Sequence, residues 1–293
     1  MNYSIREKVS NFNFVLPALF IFSFFYIIPF IFTFWAAFHS GDFVSESKWV
    51  AFRNFSEVFL YDRQWWKSLL NAGYITLWAL ILQNLLAFGL ALGVDRSIRL
   101  QKVYRSLFFL LPVLSEIIFG SFGKLLFSST PGVLNNLLKS LSLGGLIREW
   151  LSLPHLSLNV CAFLHCWKGF GWAFIILLAG LQTIPEELYE AARVDGANSF
   201  QIFLKITLPL MIPVIILVII LTILGSMQGF ALIWAFTGGG PAGATEVPVM
   251  RIYTQLTDAH RGGYACALGI VLGVILVIFS FSFLKISKRL KKA

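Results

Sequence analysis

Apolar residues run along this chain in long unbroken blocks, not in alternation. Six blocks are long enough to cross a bilayer, which takes about 20 helical residues. They are 12–38, 69–94, 105–127, 157–182, 211–235 and 264–286. Continuous apolar content fits membrane helices and excludes a porin-like barrel, whose strands alternate between lipid and lumen. The pattern predicts an all-α, polytopic membrane protein with six transmembrane helices. It also separates an N-terminal span with its first outer loop, 1–68, from a core, 69–293, that contains a polar loop at 183–210.

That loop carries the most local information. Residues 186–213 read EELYEAARVDGANSFQIFLKITLPLMIP. Thr183 and Glu186 have the spacing of a capping box, with Thr183 at the N-cap. Pro185 is tolerated in a first turn, where its missing N–H has no partner to lose. Glu186 and Glu187 suit the positive end of a helix. The helix is expected to run to about Asp195 and to stop at Gly196, a natural C-terminal cap. Asn198 with Gln201 opens a second short helix, which Pro209 ends or redirects into the fifth span. One small apolar patch is expected on this helix-turn-helix, made by Leu188, Ala191 and Ala192.

Composition agrees with the block pattern. Of the 293 residues, 58% are hydrophobic and 13% are charged, against roughly 25% charged in soluble domains. Mean hydropathy is +0.79. The net charge of +9 is no nucleic-acid footprint, because the basic residues are scattered and many flank apolar blocks. There they set orientation, so the surroundings are membrane lipid and no nucleic-acid partner is expected. With both termini inside, Arg6, Lys8, Arg96, Arg99, Lys102, Arg105, Arg193, Lys205, Lys285, Lys288, Arg289, Lys291 and Lys292 share the cytoplasmic side. The outer loops are left with a sparser basic set, and the 183–210 loop is placed inside. Trp49, Trp65 and Trp66 in outer loop 39–68 suit an interfacial belt. The first block exceeds a signal-peptide core and no small-x-small site follows it, so it reads as a retained span. The TGGGPAGATE segment in outer loop 236–263 is too turn-rich for regular helix.

Glu190 follows Glu186 by four residues and Glu187 by three, spacings at which like charges repel weakly. An acidic cluster beside two alanines is a docking surface, with carboxylates for a basic partner and small side chains for close approach. The alternative is a solvated amphipathic loop. Glu190-Ala191-Ala192, then Gly196, then Ile206-x-Leu208-Pro209 resembles the EAA loop of binding-protein-dependent ABC importer permeases. Every fixed position of that pattern is present at its spacing, and six spans over nearly the whole chain go with it. Thr237-Gly238-Gly239-Gly240-Pro241 with Thr245-Glu246 and Ile252-Tyr253 resembles an outer loop of carbohydrate-type permeases. So do RVDGAN (193–198), KITLPLMIP (205–213) and the segment from Arg105 to Pro112. The overall form is similar to the larger, MalF-like subunit, without a large outer insert before the core.

This resemblance implies a MetI-like transmembrane core and a bacterial or archaeal inner-membrane location. The implied partners are a second permease forming a heterodimer, two ATPase subunits and an extracytoplasmic sugar-binding protein. The implied substrate is an oligosaccharide or sugar derivative, moved by alternating access. Glu190, Ala191, Ala192, Gly196, Ile206, Leu208 and Pro209 become ATPase-coupling candidates.

The chain has no G-x-x-x-x-G-K-[ST] phosphate loop, no H-E-x-x-H and no assignable nucleophile–base pair. No catalytic residue, metal site or cofactor is expected in this chain, and ATP with Mg is expected on the ATPase. The three cysteines, Cys161, Cys166 and Cys266, show no metal-type spacing. His165 is expected as a packed, hydrogen-bonded residue. For the substrate pathway, Lys168 and Trp172 share a helix face beside Gly169, while Thr222 and Ser226 recur at helical spacing with Gln228 nearby. Sugars need hydrogen-bond partners and an aromatic plane, and this set supplies both; small residues and hydroxyls that only pack helices are the alternative. Glu116, midway in the third block, is expensive in lipid and by default faces a cavity or partner. Lys168 is its candidate partner. Lys124 is near enough to the outer end to snorkel, and Gln83 and Asn84 are either interhelical ties or cavity lining. An ion-coupled secondary carrier is the rival reading, with Glu116 as its only acidic support.

Overall fold

The computed structural model describes residues 12, 14–42, 47–95, 101–129 and 132–290. The orientation markers Arg6, Lys8, Arg96, Arg99, Lys291 and Lys292 lie outside the described residues. The fold is all-α apart from one short hairpin. Among the described residues, five helices are long and apolar enough to cross a membrane, and a sixth crossing exists if one sharply bent pair counts as a span. The chain forms two compact units, residues 1–62 with 252–274, and residues 63–251 with 275–293.

The first unit starts with α1 (Phe14–Ala36), whose apolar surface is largely exposed, as expected of a helix whose solvent is lipid. The two-residue strands β1 (His39–Ser40) and β2 (Lys48–Trp49) pair antiparallel, with His39 opposite Trp49. The ring of Phe38 stacks on Trp49 at 5.5 Å and meets Phe52 and Phe55 at 5.4 and 5.3 Å. Helix α2 (Arg53–Leu60) follows. Its buried Asn54 donates from Nδ2 to the carbonyls of Ala37 and His39, at 2.8 and 2.9 Å. Arg261 donates to Glu57 Oε2 at 2.6 Å and lies 4.2 Å from the ring centre of Tyr264. The bond to Glu57 holds the arginine pKa above its ordinary value, against partial burial. Tyr264 donates to Asp62 at 2.7 Å.

The second unit holds most of the described helices. Helix α3 (Arg63–Asp95) contains a π-turn at Ala79–Gln83. Helices α4 (Gln101–Val113) and α5 (Glu116–Phe127) meet at 92°. The sequence pattern reads these two as one straight span, 105–127, but Pro112 lies inside α4 and Ser115 adopts ψ 137°. Glu116 therefore opens α5 instead of sitting in mid-helix, and its carboxylate benefits from the helix N-terminus. After a short helix α6 (Val133–Ser140) comes the long α7 (Pro154–Leu181). Then follow α8 (Glu186–Val194) and α9 (Ser199–Met227), the latter with a π-turn at Phe203–Thr207. Helices α10 (Ala231–Thr237), α11 (Pro248–Thr257) and α12 (Gly262–Leu290) complete the chain.

Three departures from the sequence pattern have physical causes. Pro209 does not stop a helix, because the π-turn just before it accommodates the lost N–H and α9 continues to Met227. The expected fifth span, 211–235, breaks after Met227, and its last part becomes the separate α10. Trp65 is fully buried, so only Trp49 and Trp66 of the expected belt are exposed.

The core of this unit is a seam between α3 and α7. Ala87, Ala91 and Val94 cluster with Phe170, Ala173, Phe174, Leu177, Leu178 and Leu181, and Met211 and Val218 of α9 join them. Phe108 of α4 meets Phe170 and Phe174 edge-on at 6.0 and 5.2 Å. Small residues set the approach distances, as is usual between membrane helices. A Cβ at Gly171 would collide with the Phe108 carbonyl and fall 2.7 Å from Pro112 Cδ.

Candidate functional site

Two regions gather the residues singled out above. The first is the polar interruption between α7 and α9. Helix α8 places Glu186 and Glu187 in its first turn and Arg193 in its last, complementing the helix dipole. The Thr183 capping box does not form. Pro185 takes the N-cap position with no side-chain bond, and the Thr183 hydroxyl donates back to the Gly180 carbonyl at 2.7 Å. Because α8 opens at Glu186 with Pro185 as its N-cap, Thr183 lies two residues too early to cap it. Asp195 is the C-cap, and Gly196 follows at φ +79°, a left-handed conformation that costs glycine little. A complete capping box then starts α9: Asn198 Oδ1 accepts from the Gln201 N–H, and Gln201 Oε1 from the Asn198 N–H, both at 2.9 Å.

Glu190 and Ala191 are exposed and Ala192 is half-buried on α8. Ile206 and Leu208 are half-buried, while Pro209 is exposed. Two further apolar side chains are bare in this region, Val194 at 87% and Phe200 at 70% exposed. Val194 lies one turn after Glu190, and that spacing was the available sequence signal for it. Phe200 follows the N-cap, where no periodicity marks it. Phe200 also lines a cleft of about 1120 Å³, together with Asp95, Glu186, Tyr189, Arg193 and Phe203 among others. The Tyr189 hydroxyl reaches Thr207 Oγ1 across 3.3 Å. The surface can act as a rigid elbow, because both of its helices have defined ends and α9 continues without interruption into a span.

The second region lies where α3, α7 and α9 meet. His165 Nε2 is 2.9 Å from Ser226 Oγ, which matches the expectation of a packed, bonded histidine. Thr222 donates to the Val218 carbonyl at 2.8 Å and to Asn84 Oδ1 at 3.2 Å. Thr222 and Ser226 are both 2% exposed. Lys168 Nζ lies 3.9 Å from Glu116 Oε1, which joins the two expected partners. Gly169 faces Gln83, whose carboxamide occupies the space a Cβ would take. Trp172 packs against the apolar seam of α3 and α7. Gln228 is exposed at the end of α9, and Lys124 is exposed in the last turn of α5.

A further polar cluster lies in the turn-rich segment whose Thr237–Pro241 and Thr245-Glu246 carry the second family resemblance. The loop after α10 has Gly238, Gly239 and Gly243 at φ +60°, +84° and +70°. Glu246 accepts from Gln64 Nε2 at 2.5 Å and lies 3.9 Å from Arg251, while its carbonyl accepts from Asn71 at 2.9 Å. Thr245 bonds Thr237 at 2.7 Å and the Gly240 carbonyl at 2.8 Å. Among the described residues, no group of three or more His, Cys, Asp or Glu is arranged to hold a metal ion.

A bundle of lipid-compatible helices, a capped polar elbow and buried polar residues between the spans define an integral membrane transport subunit. The family model described as binding-protein-dependent transport system inner membrane component matches residues 83–292, and the chain belongs to that family. It is 31% identical over 286 residues to the trehalose/maltose transport system permease protein MalF of Thermococcus litoralis, covering 97% of this chain and 95% of that protein. It is 29% identical over 289 residues to the arabinooligosaccharides transport system permease protein AraP of Bacillus subtilis, covering 97% and 90%. Its fold matches a chain of the bacterial alginate ABC transporter crystallised with an alginate pentasaccharide-bound periplasmic protein. The TM-score is 0.81 at 23% identity, over 99% and 98% of the two chains. The chain is thus an inner-membrane permease subunit of a binding-protein-dependent transport system, and the family assignment sets aside an ion-coupled carrier.

Proposed function

We propose that this permease forms half of the translocation pathway of an ATP-driven importer of oligosaccharides or sugar derivatives. It pairs with a second permease and receives its substrate from an extracytoplasmic binding protein. Two ATPase subunits grip the elbow from the cytoplasmic side, where both termini also lie. Glu190 meets a basic residue of the ATPase, Ala191 and Ala192 allow close approach, and Gly196 permits the turn. Ile206, Leu208 and Pro209 transmit the movement into α9. This chain performs no catalysis, and ATP and Mg are held by the partner.

The observation that carries this reading is the elbow itself. It exposes acidic and apolar groups together, with Val194 and Phe200 unusually bare, and its second helix is continuous with a span. Exposed apolar side chains beside charge mark a protein contact. Alternating access needs such a lever, because interfaces and packed cores switch between discrete arrangements. The sugar assignment is supported by relatives named for trehalose/maltose, arabinooligosaccharides and diacetylchitobiose. Glu116, Lys168, Gly169, Trp172, Thr222, Ser226 and Gln228 remain the proposed substrate path.

The test is a cysteine at position 190 or 194 in the assembled complex, oxidised against cysteines placed in the ATPase cleft. Cross-linking that changes with bound nucleotide is expected. Glu190→Lys should uncouple ATP hydrolysis from uptake while the protein still inserts. Normal uptake by that variant would contradict the coupling role.

A further inference from the structure

Gln83 closes the π-turn of α3. Such a turn inserts a residue into the helix and re-aims the side chains around it, and these turns are frequent at functional positions. Gln83 is 1% exposed. Among the described residues, its Oε1 has no hydrogen-bond partner. Its carboxamide fills the notch left by Gly169 on α7, where a Cβ would fall 2.7 Å from Gln83 Cδ. Asn84 comes next in the chain. Its Oδ1 accepts from Thr222, but its Nδ2 is shielded and likewise has no partner among the described residues.

Neighbouring residues therefore hold one unfilled acceptor and one unfilled donor between α3, α7 and α9. Buried polar groups are normally bonded, and leaving one unmade is costly. A purely structural contact would be served better by a fully bonded pair or by apolar side chains of similar size. The cost makes sense if the groups are kept for a ligand that enters when the helices part. Lys168, one residue before the notch, brings its ion pair with Glu116 next to it.

We propose that Gln83 and Asn84 form a binding point for adjacent hydroxyls of a polyol solute in transit. Gln83 Oε1 accepts a hydrogen bond from one hydroxyl, and Asn84 Nδ2 donates one to its neighbour. A vicinal diol offers this combination of donor and acceptor. The inference rests on the sugar-import reading and adds to it a contact from α3, beyond the path on α5, α7 and α9.

The assembled importer, with its partner subunits and binding protein, is reconstituted in liposomes containing ATP. Uptake of radiolabelled maltose, trehalose and N,N′-diacetylchitobiose is measured. For the sugar that enters, Gln83→Met is compared with the native protein on that sugar and on its monodeoxy derivatives. Two results are expected: KM rises about tenfold on the parent sugar, and no such rise appears on the derivative lacking the contacted hydroxyl. The complex should also melt at a higher temperature, because an unfilled buried acceptor is gone. An unchanged KM, or the same rise on every derivative, overturns the proposal. Asn84→Leu, removing the donor, gives the same comparison if Gln83→Met does not assemble. Failure of the native complex to take up any of these sugars would overturn the sugar reading and this site with it. The Gln83 and Asn84 results bear on the site alone.

Discussion

Alanine at Gly169 and alanine at Gly171 are the same chemical change two residues apart on α7, yet the structure assigns them different costs. At Gly169 the new methyl meets the far end of a flexible side chain, the Gln83 carboxamide. That group can swing away, at an off-rotamer cost of about 0.5–1.5 kcal/mol. At Gly171 the methyl meets the Phe108 carbonyl and the ring of Pro112, with Pro112 Cδ and Cγ both at 2.7 Å. Neither neighbour can rotate away. Ordinary contact needs roughly 3.4 Å or more, so α4 must move bodily off α7. Overpacking of this kind costs about 1–3 kcal/mol, and the upper end applies here. The assay is the apparent melting temperature of the purified complex in detergent, for both alanine variants, Gln83→Ala and the Gly169→Ala/Gln83→Ala double variant. Gly171→Ala should lower it most. Gly169→Ala should lower it less, and its effect should nearly vanish in the Gln83→Ala background. Equal damage at the two positions, or no rescue by Gln83→Ala, would refute the notch geometry.

Other perturbations follow from single contacts. Asn198→Ala removes the capping box of α9 and should cost about 1 kcal/mol, seen as faster amide exchange at Gln201 with little change in the transmembrane part of the helix. Glu246→Ala removes the charged acceptor of Gln64 Nε2, which keeps its 3.0 Å bond to the Gly243 carbonyl, and loosens the loop after α10. A loss of about 1–3 kcal/mol is expected, with new protease cleavage between residues 238 and 246. Phe200→Ser should weaken retention of the ATPase subunits during purification while leaving the amount of inserted permease unchanged, because Phe200 is largely exposed in the chain itself.

The helical class and the rough span positions were legible because lipid demands long continuous apolar blocks. The elbow was legible because its residues act locally: Gly196 is read from its backbone freedom and Asn198 with Gln201 from the reach of their side chains. The bend between α4 and α5 was not, since hydropathy continues straight through Leu114 and Ser115 and is blind to one extended dihedral. Thr183 misled for a similar reason. A capping box needs α8 to start directly after Thr183, and the helix starts at Glu186 with Pro185 as N-cap. That the helix runs on through Pro209, instead of ending or being redirected there, was not legible, because the π-turn that absorbs it has no sequence mark. At the helix junction, Lys168 with Glu116 was found by charge, but the fit of Gln83 into Gly169 depends on the rotation of α3 after its own π-turn. Trp172 was placed correctly on α7, yet its neighbours came from tertiary packing and not from its own helix.

The account turns on ATP, supplied by another subunit, driving solute through this chain by way of the α8–α9 elbow. The most direct measurement is uptake of the binding-protein-delivered sugar into liposomes containing the complete assembly, with ATP inside and no ion gradient, and then with ion gradients and no ATP. Uptake should occur only with ATP and binding protein present, and Glu190→Lys should abolish it. Uptake driven by an ion gradient without ATP, or full uptake by Glu190→Lys, would contradict the account.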